Sequence, residues 1–387
     1  MIFEANRLIM HEAAKNAAKI APAHAHLEAL NGILVESNAD TGEIYMTATN
    51  HKVSIQQKIV ASVGQSGSML INPRLLADMT AKLNGDFVTL SAVNPHLLKV
   101  SGGRCVFQIN CSSSENYPKP IMTFPEESVI MTGICSLVKR TVFATSDDDD
   151  KPALQCVRVQ LKNNAVHAAA CDGNRMMLIR DAAEPTDERE FLLPGRSLQL
   201  LSSVSKDDDV FEVGEIGNQV VFVRGDMIFT IRKLNTGAFV DTTKLVKSIK
   251  AEYTAVVDVN KMKAALGLIS VDALAGNTRV PMNMLFSGGE IVMRCDSEFG
   301  KSSSSIPATF SKDTPSAGFF YDVSALLKLF QVVSGRVKIE LDSKGFMMIK
   351  TQNEVYCQGP VRPPKKQEKC AKEENCAKGA EDVKEAA

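Results

Sequence analysis

Six stretches of this chain read alike, and their spacing constrains the fold more than any other feature. Each is an apolar, strand-like run that gives way to a helical pattern: IFEANRLIMHEAAKNA, MLINPRLLADMTAKL, VIMTGICSLVKRTVFA, FLLPGRSLQLLSSV, AVVDVNKMKAALGLI and FFYDVSALLKLFQVV. With Ala5, Ile71, Met131, Leu193, Val257 and Tyr321 as equivalents, the steps are 66, 60, 62, 64 and 64 residues. The fourth copy is the clearest. A short apolar strand meets a Pro194-Gly195 break, after which Leu198, Leu200, Leu201 and Val204 fall at helical spacing, with Arg196 and Ser197 expected on the other side. VFEVGE, QVVFVR and MIFTIR follow as strands, joined by the turns Gly217-Asn218 and Gly225-Asp226. The repeated unit is thus strand, helix and a three-strand meander. One such unit cannot cover both faces of its helix and sheet, so units must pack in pairs. Six units then give three similar domains of an α+β fold.

The boundaries follow from composition. Residues 1–127, 128–246 and 247–362 each hold two units. SSSENYPKPIMTFPEES reads as the linker after the first pair. From residue 363 the chain changes to PPKKQEKCAKEENCAKGAEDVKEAA, whose six Lys balance six Asp or Glu, and this segment is expected to be a disordered charged tail. Within the domains, residues 7–20, 73–83 and 133–144 read as helices. Hydrophobic content of 44% suits packed cores, and a net charge of −1 neither suggests nor excludes nucleic acid, because distribution matters more than the sum. Nine cysteines without a CxxC pair favour reduced thiols over a disulfide framework. MIFEANR has no apolar signal core, and no run approaches the ~18 apolar residues of a membrane span. A cytoplasmic protein without membrane partners is expected.

Catalytic patterns are thin. Gly300-Lys301-Ser302 resembles the end of a phosphate-binding loop, but Cys295 stands where the required first glycine belongs, and the segment is strand-rich. A turn is the better reading. The histidines at 11, 24, 26, 51, 96 and 167 show no metal-ligand spacing, and Asp147–Asp150 lacks a calcium-loop glycine, so a solvated acidic loop is expected there. Cys370 and Cys376 in the tail carry no activating neighbours. These residues leave an enzyme unsupported and indicate no metal or cofactor.

The triplication, together with LLPGRSLQLL, KPALQCVRV, ACDGNRMM, KLNTGAFVD and YCQGPVR in this order, resembles the bacterial DNA polymerase III beta-subunit family, the sliding clamps. The resemblance runs over residues 2–362. It implies a head-to-tail homodimeric ring around double-stranded DNA, with helices lining the hole and sheets outside. Such a ring tethers a replicative polymerase without catalysis. The helix candidates carry Lys15, Lys19, Arg74, Lys82, Lys139, Arg140, Arg196 and Lys261, besides Arg7, Lys263 and Lys328. Facing phosphates, such cations give weak, salt-sensitive, sequence-independent contact. The same cations also suit the solvated face of any surface helix.

The resemblance further implies a hydrophobic cleft that takes a short peptide from polymerase, clamp loader or repair proteins. Its wall would comprise Leu154, Cys171, Gly173, Asn174, Arg175, Met176, Val240, Lys244, Leu245, Cys357, Gly359, Pro360, Val361 and Arg362. Asp172-Gly173 reads as a tight turn. The chain departs from family habit at Val240 and Thr242, at His24, at Asp147–Asp150 and in the closing GPVRP. Gly359 is expected to leave the cleft shallower, by a side chain worth about 1–3 kcal/mol of burial. The ring interface would set an edge strand with Arg104 and Val106 against Leu268 and Ile269, with ordinary core packing as the competing reading of the latter pair. The alternative overall is a clamp-fold, peptide-binding scaffold that does not encircle DNA.

Overall fold

The residue after each repeat equivalent explains why a strand turns into a helix at that point. Asn6, Asn72, Asp258 and Asp322 each cap a helix, their side-chain oxygens accepting the backbone N–H groups two and three residues on. The equivalents themselves end the strands pointing inward: Ala5, Ile71, Met131, Leu193, Val257 and Tyr321 are all buried. The two middle copies have Thr132 and Pro194 at the cap position. Pro194 makes no side-chain cap.

The computed structural model describes residues 1–183, 187–234, 237–275, 280–311 and 317–363. The charged tail beyond Pro363, with Cys370 and Cys376, lies outside the described residues. The helices are α1 (Arg7–Ile20), α2 (Pro73–Lys82), α3 (Ile134–Thr141), α4 (Gly195–Ser203), α5 (Thr242–Ser248), α6 (Val259–Ala273) and α7 (Val323–Val332). The chain divides into two compact units. One comprises Met1–Val138, Val159–Ala165 and Ala182–Asn235; the other comprises Lys139–Arg158, Val166–Asp181 and the described residues of Thr236–Ala387.

In the first unit an antiparallel sheet runs Cys105–Asn110, Leu97–Gly102, Phe87–Asn94, Ile2–Asn6, Val53–Gln65, Met227–Arg232, Gln219–Arg224, Phe211–Ile216, Ser128–Met131. The thirteen-residue strand Val53–Gln65 holds this sheet together. Its first half pairs with Met227–Ile231 and its second half with Ile2–Ala5. The sequence reading contains no strand there, because the Val53/Ile55 alternation gives way to Gln56-Gln57-Lys58. The meander after α4 is as expected: Gly217 and Gly225, at positive φ in the first position of two-residue loops as type II′ turns require, close hairpins that register Ile216 on Gln219 and Arg224 on Met227. Helices α1 and α2 pack side by side. Arg7 donates to Gly85 O at 2.7 Å and Thr80 O at 3.0 Å. In α4, Leu198 and Leu201 are buried as expected, but so is Ser197, which was expected to face outward. The helix starts so close to the preceding strand that its first turn is covered all round except at Arg196.

In the second unit the sheet path Ala165–Cys171, Arg175–Ala182, Glu354–Gln358, Met347–Lys350, Arg336–Leu341, Tyr253–Asp258, Thr309–Phe310 carries the candidate site. A second, four-stranded sheet runs Lys301–Pro307, Glu290–Asp296, Met282–Ser287, Ala317–Tyr321, with α6 and α7 packed on each other. Lys301 opens a strand and pairs with Asp296 at 2.9 Å, so the Gly300-Lys301-Ser302 segment is no phosphate loop. No described helix is long and apolar enough to cross a membrane.

Candidate functional site

The second unit's main sheet ends in a cavity of about 390 Å³, bounded by two tight turns, a short helix and the last strand. The first turn follows Cys171. Asp172 Oδ1 accepts the N–H groups of Asn174 at 2.9 Å and Arg175 at 2.8 Å, and Gly173 takes φ +96°, where side chains are disfavoured. Asp172 also holds Arg175: Nε lies 2.7 Å from Oδ2, with both side chains largely buried. This close ion pair draws the guanidinium to Asp172 where Arg175 borders the cavity.

The second turn repeats this chemistry. Asp342 Oδ1 accepts the N–H of Lys344 at 2.9 Å and of Phe346 at 2.8 Å, with Gly345 at φ +86°. The buried Tyr321 hydroxyl donates to Gly345 O at 2.7 Å and anchors the turn from below. Asp342, Lys344 and Phe346 all border the cavity. The short helix α5 starts on Asp241, whose side chain accepts from Thr243 and Lys244 N–H. The backbone N–H of Lys244 is the chief reason the Asp241 carboxyl is held below its usual range. Leu245, Ser248 and Ile249 line the cavity from this helix.

The last strand closes it. Arg175 pairs with Gln358, Met176 with Cys357, and the N–H of Gly359 donates to Asn174 O at 2.7 Å. A Cβ on Gly359 would meet Asn174 Oδ1 at 2.6 Å and the Phe346 ring at 3.1 Å. The space a side chain at Gly359 would need is thus occupied by Asn174 and Phe346. The floor is apolar. Cys171, Met176, Met348 and Cys357 form one buried cluster, with Leu154, Leu178, Val246, Ile249 and Val355 packed around it. Burial pushes the Cys171 thiol up and the Cys357 thiol up to about 12, so both are neutral near pH 7.

Of the residues expected in the cleft, the structure brings together Cys171, Gly173, Asn174, Arg175, Met176, Leu245, Cys357 and Gly359. Leu154 supports the floor from behind. Val240, Lys244, Pro360, Val361 and Arg362 do not border the cavity. Lys244 points to solvent beside Asp241, and the Val361 N–H is taken by Phe320 O at 2.7 Å. The reading missed Ser248, Ile249, Asp342, Lys344 and Phe346. The D-x-x-G pattern of Asp342–Gly345, matching a turn, was the available signal for three of them.

Elsewhere, Lys15, Lys19, Arg74, Lys82, Lys139, Arg196 and Lys261 are exposed on their helices. Lys19 donates to Ser203 O, and burial followed by the Lys15 charge lowers its pKa. Arg140 differs from the rest. Its guanidinium bonds Asp181 and, at 3.0 Å, Glu354, and its side chain is only 18% exposed, so its charge is spent within the unit. The strand Cys105–Asn110 lies at a sheet edge with Val106 exposed, and Arg104 immediately precedes it. Leu268 is exposed on α6, but Ile269 is fully buried and belongs to the core. Val271 and Leu274 continue the exposed stripe at helical spacing instead. No group of three or more metal-ligating His, Cys, Asp or Glu side chains occurs among the described residues.

The comparisons agree with this architecture. The N-terminal domain of the DNA polymerase III beta subunit matches residues 1–122 and its central domain matches residues 130–241, together more than half the chain. A beta sliding clamp of Synechococcus elongatus is 24% identical over 300 residues, covering 75% of this chain and 80% of the relative. That of Bacillus subtilis is 23% identical over 282 residues, covering 70% and 74%. The crystal structure of the Bacillus subtilis DNA polymerase sliding clamp superimposes with a TM-score of 0.82 at 20% identity, over 94% of this chain and all of that one. A Pseudomonas aeruginosa sliding clamp bound to griselimycin does so with a TM-score of 0.80 at 17% identity, over 94% and 99%. The chain belongs to the family of the DNA polymerase III beta subunit, the bacterial beta sliding clamps.

Proposed function

We propose that this protein is a non-catalytic processivity subunit in the cytoplasm: a homodimeric ring that encircles duplex DNA and tethers the replicative polymerase. Family membership supports the role, and the observation that carries the partner-docking part is the cavity bounded by Arg175, Met176, Leu245, Phe346 and Cys357. Its apolar floor suits Leu- or Phe-like side chains of a short peptide from polymerase, clamp loader or repair proteins. Three clamp domains over 1–127, 128–246 and 247–362 follow from the sixfold repeat.

The DNA-facing cations in this reading are Lys15, Lys19, Arg74, Lys82, Lys139, Arg196 and Lys261, without Arg140. The subunit contact pairs the edge strand beginning at Cys105, with Arg104 and Val106, against α6 through Leu268, Val271 and Leu274. An unpaired edge with exposed apolar side chains is a liability that such a contact removes.

The test is retention on DNA. The protein is loaded by a clamp loader onto a nicked circle and onto the same DNA linearised, then challenged with high salt. Retention on the circle with loss from the linear form means topological linkage. Equal loss from both, with loading verified, leaves a scaffold that only binds peptides.

A further inference from the structure

One cation at the cavity takes no part in holding it together. Three charged residues border the space: Arg175, Asp342 and Lys344. Arg175 lies 2.7 Å from Asp172. Asp342 is buried, and its Oδ1 accepts the N–H groups of Lys344 and Phe346, so its charge is met by backbone donors. Lys344 is exposed and forms no ion pair among the described residues. Other lysines of this unit do find partners: Lys244 meets Asp241 at 3.4 Å, and Lys338 and Lys350 meet Glu340 at 3.1 and 3.0 Å. Exposed lysines are commonly solvated. Lys344 differs in its place, on the turn that carries Phe346 to the cavity wall.

The turn fixes where that ammonium can reach. Gly345 stands at φ +86°, the Tyr321 hydroxyl donates to its carbonyl at 2.7 Å, and the N–H groups on either side of it bond to Asp342. Lys344 and Phe346 are two residues apart, so their Cα atoms are at most about 7 Å from each other. An extended peptide advances about 3.3 Å per residue. A peptide whose Leu or Phe side chain sits on the apolar floor beside Phe346 therefore passes Lys344 within one or two residues of that anchor. A carboxylate at that point supplies the pairing that Lys344 lacks, whereas an ammonium or guanidinium there meets a like charge.

We propose that Lys344 is a specificity-determining residue, selecting partner peptides that carry Asp or Glu one or two residues from the apolar anchor. The inference rests on the peptide-docking reading above and adds the partner's charge to it. Asp and Asn differ in charge but hardly in shape, so comparing them isolates this contact. Exposed ion pairs shift binding by about two- to fivefold, and the shift fades as salt shortens the range of the charges.

The experiment uses the full chain and fluorescence anisotropy with labelled peptides that share one Leu-Phe core. Asp, Asn or Lys is placed in turn at each of the two positions on either side of the core. At one of these positions the parent should bind the Asp form about two- to fivefold more tightly than the Asn form in low salt. The Lys form should bind more weakly than either, and the spread should shrink toward parity at about 1 M salt. Lys344→Gln, which keeps the backbone N–H that Asp342 accepts, should erase the spread, and Lys344→Glu should reverse it. Lys247→Gln, at an exposed lysine of α5 outside the cavity, should leave the spread in place. Equal affinity for the Asp and Asn forms at every position, or a preference that survives Lys344→Gln, overturns the proposal while the docking reading stands. Failure of the parent to bind any of these peptides overturns the docking reading itself, and the inference with it.

Discussion

Replacing Arg140 by Ala separates a structural cation from a DNA-facing one. Its Nη1 lies 3.0 Å from Glu354 Oε1 and 3.2 Å from Asp181 Oδ1, with a second bond to Asp181 Oδ2. Glu354 is 14% exposed and Asp181 35%. Losing the charged partner of the more buried Glu354 costs about 1.5–3 kcal/mol. Solvent takes over most of the pairing at Asp181, which adds at most about 1 kcal/mol. The sum, about 2–4 kcal/mol, lowers the calorimetric transition of the second unit by roughly 5–15 °C. Adding Glu354→Gln should recover part of this, because the two sites share one network. The salt dependence of DNA binding should not change. A phosphate contact would show the opposite pattern: stability within about 0.5 kcal/mol of the parent and a log–log salt slope shallower by about 0.9. That outcome would refute the assignment.

Other consequences follow from the same geometry. Phe346→Ala should weaken binding of a Leu/Phe-containing peptide, by about 1–3 kcal/mol of lost apolar burial in fluorescence-anisotropy titration, whereas Val361→Ala, outside the cavity, should not. Gly345→Ala should destabilise the chain in urea melts, because its Cβ would stand 2.3 Å from the Phe319 ring at a φ of +86°. Burial pushes Glu340 up, but its bonds to Lys350 and Lys338 outweigh this, leaving its pKa below the ordinary 4.5. Its contribution is therefore present above pH 4.5 and lost as pH falls through the lower folded value, so Glu340→Gln should destabilise the protein at pH 6 and not in strong acid. Native-state alkylation followed by mass spectrometry should label exposed Cys105 far faster than Cys357, whose thiol is pushed up to about 12.

The sequence by itself determined the local grammar. Buried repeat equivalents followed by Asn or Asp caps specify strand-to-helix junctions, and Gly-Asn and Gly-Asp pairs specify hairpins, because both depend on neighbours within a few residues. The turn at Asp172-Gly173 was legible for the same reason. Assembly was decided elsewhere. Val53–Gln65 is a strand because it forms a hairpin with the preceding Glu43–Thr49 and because Met227–Ile231 and Ile2–Ala5 pair along its other edge, not because of its own weak alternation. Helix α5, absent from the sequence reading, comes from one Asp241 cap on a stretch of only seven residues. Arg140 reads as one more helix cation until Asp181 and Glu354, distant in the chain, meet it. Ile269 and Leu268 are neighbours in sequence, yet helix rotation buries one and exposes the other. The cavity itself joins residues near 172, 245, 345 and 358, and Phe346 stands beside Gly359 where a side chain at 359 would otherwise sit. Side-chain environments of that kind depend on long-range packing, which no local pattern encodes.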